Sequence, residues 1–368
     1  MTGPQRAIRW RHLAGLAALI AAPTMALGQA EPGTGVVHDP FPVRLVFVGD
    51  LNLGTRTLPD GLPPDSGRRL FRSVAPFLSG DLVVGNFEGV LSDSGDSDKC
   101  ATKAHCYAFA TPTWLATRLR EAGFTHLNLA NNHANDYGPD WRQHTEAALR
   151  ELGIVPYGPL GEVAIAPVRR GERLTLVGLV GFTTYPHAYN LLDLSQSVAI
   201  VDSVRPLVDV LVVTFHGGVE GEGATRTPAG AERLGKEARG NLRRWAHAMI
   251  DAGADAVVGH GPHVLRGVEF YRDKPIFYSL GNFATYRGFS LVGPMALTTA
   301  LELNLDGTGH YLSARIPALR QRWRTGPIPD TTGAAIRLVQ ELTRLDFPES
   351  GARIADDGSV VPPSSVVP

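Results

Sequence analysis

The chain has 368 residues, long enough for one large α/β domain or two small ones. Its 35 Lys+Arg nearly balance 36 Asp+Glu, so no basic field points to nucleic acid as a partner. Downstream of the N-terminus nothing reaches the roughly 18 consecutive apolar residues that span a bilayer, and 41 Gly with 27 Pro suit many strand-to-loop exits.

Arg6, Arg9 and Arg11, with His12 beside them, precede a mostly apolar stretch from Leu13 to Leu27, and Gly28 and Ala30 then supply small residues before Glu31. This reads as an export signal over 1–30, with an uncleaved membrane anchor as the alternative. The expected destination is periplasmic, extracellular or envelope-associated. A Pro/Gly-containing linker, 31–42, leads into a domain expected over 43–318.

Within that domain Val43–Val48, Leu82–Gly85, His126–Ala130, Val210–Phe215 and Ala256–Gly259 read as strands. Helical patterns alternate with them. Thr111-Pro112 supplies a cap and a first-turn proline for a helix closed by Gly123. Pro139–Leu152 ends at Gly153, and Asn241–Ala252 ends at Gly253. Such alternation predicts an α/β sheet with crossover helices. Two hairpin-like stretches follow, Arg266–Tyr271 with Pro275–Leu280 and then Met295–Leu305 before Asp306-Gly307, and these late strands predict a second, mixed sheet packed on the first. Over 319–368 the pattern weakens into an extension: Gly333–Leu345 reads as one helix and Phe347–Pro368, rich in Pro, Ser, Gly and Val, as a loose tail.

The only cysteines, Cys100 and Cys106, flank a short polar loop. In an oxidising compartment they are expected to form a disulfide, free thiols being the alternative.

Metal-ligand side chains follow the strand-like runs. They are Asp50 with Asn52; Asn86 and Glu88; Asn131, Asn132 and His133 with Asp136; His216 and Glu220; His260 and His263; and Asn282. Ligands of open α/β sheets bind where the carboxyl ends of strands meet. Carboxylate, carboxamide and imidazole groups gathered there describe a mixed O/N site for one or two divalent metals. Each segment alone reads as a polar turn. Three histidines after two strands, with carboxylates after others, favour metal binding.

The motifs Val48-Gly49-Asp50, Asp81-Leu-Val-Val-Gly-Asn86-Phe-Glu88-Gly89, Leu129-Ala-Asn-Asn-His133-Ala-Asn-Asp136-Tyr-Gly138, His216-Gly-Gly-Val-Glu220, Ala252 through His260-Gly-Pro-His263-Val264, and Tyr278-Ser-Leu-Gly-Asn-Phe283 together resemble the CapA family of poly-gamma-glutamate capsule-synthesis proteins. That family is similar in fold to calcineurin-like metallophosphoesterases. The resemblance covers Val43 to Leu305 and implies a four-layer α/β-β/α sandwich with mixed sheets. It implies Asp50, Glu88, Asn132, His216, His260 and His263 as ligands of Mn, Fe or Zn, and His133 with Asp136 as the catalytic pair. Asn52, Asn86, Asn131, Glu220 and Asn282 are further site candidates. Asn52 stands where metallophosphoesterases usually carry His, and Gly217 where the CapA family commonly has Trp; one of two metal positions is therefore expected to be weak or empty.

Two functions follow from this resemblance. One is a metal-dependent hydrolase acting on an anionic polymer or its precursor; the other is a non-catalytic scaffold of a polymer synthesis and export complex. Membrane capsule-synthesis proteins are the implied partners in either case.

Overall fold

The computed structural model describes residues 41–100 and 106–363. The expected export signal and all but the end of the linker lie outside the described residues. The first half of the chain contains β1 (Val43–Asn52), β2 (Leu82–Phe87), α1 (Thr117–Glu121), β3 (His126–Asn128), α2 (Pro139–Glu151), β4 (Val155–Tyr157), β5 (Ala164–Arg170) and β6 (Arg173–Thr183). Then come α3 (Leu194–Val204), β7 (Val210–His216), α4 (Leu242–Asp251), β8 (Ala256–His260), β9 (Val268–Tyr271), β10 (Lys274–Phe277) and β11 (Asn282–Thr285). The last part supplies β12 (Leu297–Thr298), β13 (Ala300–Leu305), β14 (Tyr311–Arg315), β15 (Leu319–Arg322), β16 (Gly326–Pro329), α5 (Ala334–Asp346), β17 (Arg353–Ile354) and β18 (Ser359–Val361).

Two mixed sheets result. The first runs β17-β18-β14-β13-β1-β2-β3-β4, with β11 also on β1; the second runs β9-β10-β8-β7-β6-β5. Strand alternation sorts side chains into layers. Leu45 and Phe47 of β1 pack in one core with Val210 and Val212 of β7 and Val258 of β8, between the sheets. Val46 and Val48 point the other way, against Leu119 of α1 and Ala148 and Leu149 of α2. Leu211 and Val213 likewise turn outward against Val201 of α3 and Trp245 and Met249 of α4. The order helix, sheet, sheet, helix is the expected four-layer sandwich. Each fully buried Val, Leu or Phe in these cores contributes about 1.5–3 kcal/mol.

The structure departs from the sequence expectation in several elements. Of the late strands, only the hairpin of β9 and β10 belongs to the second sheet, which spans residues 164–277; β13 instead pairs antiparallel with β1, Val43 opposite Leu305 and Val48 opposite Ala300. Leu301, Leu303 and Leu305 thereby reach the core between the sheets. The tail is no loose end either: β17 and β18 extend the first sheet beside β14, Val360 joins the same core, and Phe347 stacks on Tyr278 at 5.0 Å between ring centroids. Short strands added to an existing edge need little apolar pattern of their own, so composition hid them. Thr111 is not a helix cap. Its hydroxyl donates to the Gly54 carbonyl at 2.8 Å, and the helical turns start only at Thr113.

Candidate metal centre

Strand register assembles the site. Asp50 lies opposite both Asn86 of β2 and Asn282 of β11, while His216 at the end of β7 lies opposite His260 at the end of β8. The two rows belong to different sheets and meet across the interface. The Asp50 amide donates to the Gly281 carbonyl at 2.9 Å, and a Cβ on Gly49 would sit 1.8 Å from that carbonyl oxygen. Only glycine fits there. His263 has φ +60°, a left-handed conformation that costs a non-glycine residue about 1 kcal/mol or more. Its Nδ1 donates to Asp50 Oδ2 at 2.9 Å and lies 3.1 Å from Asn282 Oδ1, and these bonds hold it in place.

Donor atoms of Asp50, Glu88 and His263 lie within 4.8 Å of one another. His216 Nδ1 is 3.5 Å from Glu88 Oε1, and His260 Nδ1 is 3.7 Å from Asp50 Oδ1. All five side chains are buried. Glu88 Oε2, Asn132 Oδ1, His216 Nε2 and His260 Nδ1 have no hydrogen-bond partner among the described residues. Each orphaned polar atom in a dry interior costs about 1–3 kcal/mol. The histidine nitrogens gathered around the two carboxylates fit a divalent cation.

The electrostatics agree with that fit. Burial, then the neighbouring Asp50 charge, pushes the Glu88 carboxyl well above its ordinary range. Burial also pushes Asp50 up, but the hydrogen bond and charge of His263, with help from His260 and His216, reverse this and leave it low. Burial holds His216 well below its usual value and brings His260 down to about 4. His263 is the exception, because its bond to Asp50 outweighs burial and raises it.

A chain of carboxamides orients the carboxylates. Backbone amides fix its far end: Ala130 N–H donates to Asn128 Oδ1 and His133 N–H to Asn131 Oδ1. The NH₂ groups of Asn128 and Asn131 must then face Asn86 Oδ1, at 3.0 and 3.1 Å. This turns the Asn86 NH₂ toward Asp50 Oδ1 at 2.8 Å and Glu88 Oε1 at 3.2 Å. Asn86 and Asn131 are therefore braces. So is Asn52, which donates to the Glu88 carbonyl and accepts from Gly54 N–H, and so is Asn282, whose NH₂ donates to the His263 carbonyl.

His133 forms a second group beside the cluster. Its Nδ1 lies 2.8 Å from Asp136 Oδ2, which also accepts from Phe109 N–H. Lys99 bonds Asp136 Oδ1 and the Asn132 carbonyl. Burial lowers His133 despite the Asp136 charge, so the resting imidazole is neutral. Cys100 and Cys106 form the expected disulfide, which closes the loop between Lys99 and Tyr107. Phe289 packs over both groups, 5.1 Å from the His263 ring and 6.4 Å from that of His133.

The chain matches the family described as bacterial capsule synthesis protein PGA_cap over residues 44–287. It belongs to that family. Among relatives, the PGA biosynthesis protein CapA of Bacillus subtilis (strain 168) is 30% identical over 301 residues, covering 78% of this chain and 74% of that protein. The capsule biosynthesis protein CapA of Bacillus anthracis is 30% identical over 322 residues, 82% of this chain and 73% of that one. Among solved structures, the calcineurin-like phosphoesterase YfkN from Bacillus subtilis aligns with TM-score 0.44 at 12% identity, over 83% of this chain and 98% of that one. At that distance it speaks to neither activity nor substrate.

In this capsule-synthesis family member the sequence-derived candidates separate into groups. Asp50, Glu88, His216, His260 and His263 converge, and Asn132 keeps a buried, unpartnered oxygen nearby in sequence to His133. Glu220 is bound to Arg239 Nη2 at 2.5 Å, and its charge still raises Glu88 and His263. Sequence reasoning missed Asn128, Lys99, Phe289, Arg239 and Arg266. Arg239 is fully buried and donates to the Gly218 carbonyl at 2.7 Å. Arg266 makes a paired contact with Glu232 at 2.9 and 2.7 Å and donates to the Ala224 carbonyl. These two arginines pin the loops that carry His216 and His263. Arg266, a charge between Val264-Leu265 and Gly267-Val268, was the available signal, whereas Arg239 lies in a charged stretch that hides it.

Proposed function

We propose that this chain is an exported, metal-dependent hydrolase that acts in the synthesis or export of a capsule or other envelope polymer, on the polymer itself or an anionic precursor. The buried cluster of Asp50, Glu88, His216, His260 and His263, with donor atoms left unpartnered, carries the reading. Asn132 Oδ1 would complete the donor set. A divalent cation held there supplies Lewis-acid activation of water and of the substrate.

The chain's own residues do the rest. Asp136 takes the Nδ1 proton of His133 in a hydrogen bond, which fixes the tautomer and leaves Nε2 to accept a proton from substrate or water. The Asp136 charge then stabilises the imidazolium that forms, and Nε2 can return the proton to a leaving group. Lys99 holds Asp136 in place, and Phe289 with Phe109 shields both groups from water.

Names of the relatives support the polymer assignment. Capsule polymers lie outside the cell, which supports the export signal and a periplasmic, extracellular or envelope location. Membrane proteins of the same synthesis machinery are the expected partners. A second reading, a non-catalytic scaffold, is favoured by one observation: Asn52, where metallophosphoesterases usually carry His, has both its amide groups committed to the backbone.

The test is turnover by the purified protein with Mn²⁺, Fe²⁺ or Zn²⁺ on a generic phosphodiester and on a glutamate oligomer. Metal-dependent cleavage that is lost in His216→Ala supports the hydrolase. Metal binding without cleavage of either substrate, with His133→Ala still supporting polymer production in cells, makes the protein a scaffold.

A further inference from the structure

A cavity of about 970 Å³ is lined in part by Phe289, the same ring that packs against His263 and His133. Tyr107 and Phe289 form one wall, with Arg287, Arg320, Arg322 and Trp323 among the other lining residues. The wall continues inward as stacked rings. Tyr107 lies 6.0 Å from Phe109, and Phe109 lies 5.1 Å from Phe289. Phe289 thus touches both the cavity and the rings of His133 and His263.

The cavity's charge is one-sided. Strand alternation in β15 buries Leu319 and Gln321 and leaves Arg320 and Arg322 exposed on one face. Two residues apart on a strand, their Cα atoms stand roughly 7 Å from each other. Arg287, half-buried, places its guanidinium 5.5 Å from the Trp323 ring centroid, and its Nε has no hydrogen-bond partner. Among the described residues none of the three guanidinium groups forms an ion pair. Asp330, the one acid in the lining, already accepts from the Thr332 hydroxyl and from the Thr332 and Ala335 amides.

We propose that this cavity is a binding subsite for an oligomer bearing a carboxylate on each residue, which it holds so that the chain runs past Phe289 into the metal cluster. Guanidinium groups pair with carboxylates in two-pronged fashion. A pair repeated along one strand matches a repeating charge better than a single small ion. Trp323 and Tyr107 are exposed rings suited to the apolar stems that carry such carboxylates. The volume admits a few residues of such a chain. The inference takes the polymer role from the proposed function, but binding in the cavity requires neither metal nor turnover.

The experiment is fluorescence anisotropy of a labelled γ-linked glutamate oligomer on the full chain, run with chelator and again with Mn²⁺. An α-linked glutamate oligomer and a neutral polyglutamine of equal length serve as competitors. Arg320→Glu with Arg322→Glu should weaken binding roughly tenfold or more, and Arg287→Met by several-fold. The Arg320→Glu, Arg322→Glu variant should melt like the wild type, since it changes only the exposed face of β15. The glutamate oligomers should compete and polyglutamine should not, the better glutamate competitor identifying the linkage. Binding should persist when chelator replaces Mn²⁺. Unchanged affinity in both arginine variants, or equal competition by polyglutamine, overturns the subsite. Intact binding with no cleavage under any metal leaves the subsite standing and removes the hydrolase reading instead.

Discussion

Glu88→Gln gives the sharpest test of the cluster, because the cation-free and cation-loaded proteins should respond in opposite directions. Glu88 is fully buried, its Oε1 accepts from Asn86, and its Oε2 has no hydrogen-bond partner. Burial and Asp50 raise its pKa above the ordinary 4.5. A group that keeps its proton when folded but loses it when unfolded makes stability fall as pH rises above the unfolded value. At pH 7 that penalty reaches up to about 3 kcal/mol if the folded state keeps the proton throughout. Glutamine has the same shape, retains the acceptor toward Asn86 and carries no charge. With chelator present, Glu88→Gln should therefore melt several degrees above the wild type at pH 7, and the gain should shrink toward pH 4.5. With Mn²⁺ at about a hundred times its dissociation constant, the wild type should gain about 2.7 kcal/mol, and the variant should lose most of that response. Melting curves followed by circular dichroism, at two pH values with and without metal, read all of this. A cation-free variant less stable than the wild type, or one that Mn²⁺ stabilises as fully, would refute the reasoning.

Three further outcomes are expected. His133→Ala should retain metal, measured by elemental analysis, while turnover falls by about 10²–10⁴-fold; loss of metal would make His133 a ligand. Gly49→Ala should destabilise the fold by about 3 kcal/mol or more, since its Cβ would overlap a backbone carbonyl that cannot move independently of β11; a denaturation midpoint near the wild type would refute the close approach. Burial lowers His126 to about 4, so its contribution is present above pH 6.5 and declines as pH falls from 6.5 toward 4. His126→Phe should flatten the loss of stability across that window, and an unchanged pH profile would show that other groups dominate it.

The candidate donor residues were legible because each lies at or just past the carboxyl end of a strand, and both the strand and the polar side chain are local features of sequence. What each donor does was less legible. Asn86 and Glu88 are two residues apart and share one face of a strand, so sequence cannot say which would face a cation. That is decided by Asn128 and Asn131, more than forty residues away, whose amides are turned by the backbone. Asn128 lay inside the run His126–Ala130, which read simply as strand. The hairpin of β5 and β6 passed unnoticed because Arg173–Thr183 follows a polar turn and carries little alternation, yet β6 pairs along the whole of β7 and sets its depth. Phe289 lies in a loop, and nothing local marks a ring that will cover two histidines from other strands. Of the late strands, Met295–Leu305 alone was assigned to the wrong sheet, since antiparallel pairing of β13 with β1 joins residues more than 250 positions apart.

The donors run from Asp50 to His263 and come from both sheets, so the centre exists only after nearly the whole body has folded. It cannot be loaded piecemeal during synthesis. A chain that crosses a membrane unfolded would arrive with none of its donors in position, and would select its cation from the ions of the compartment where it folds. If the cluster holds a cation as proposed, its identity would then be set as much by the place of folding as by the ligands. The same sequence refolded in Mn²⁺ and in Zn²⁺ would retain, in each case, the ion present when its two sheets closed.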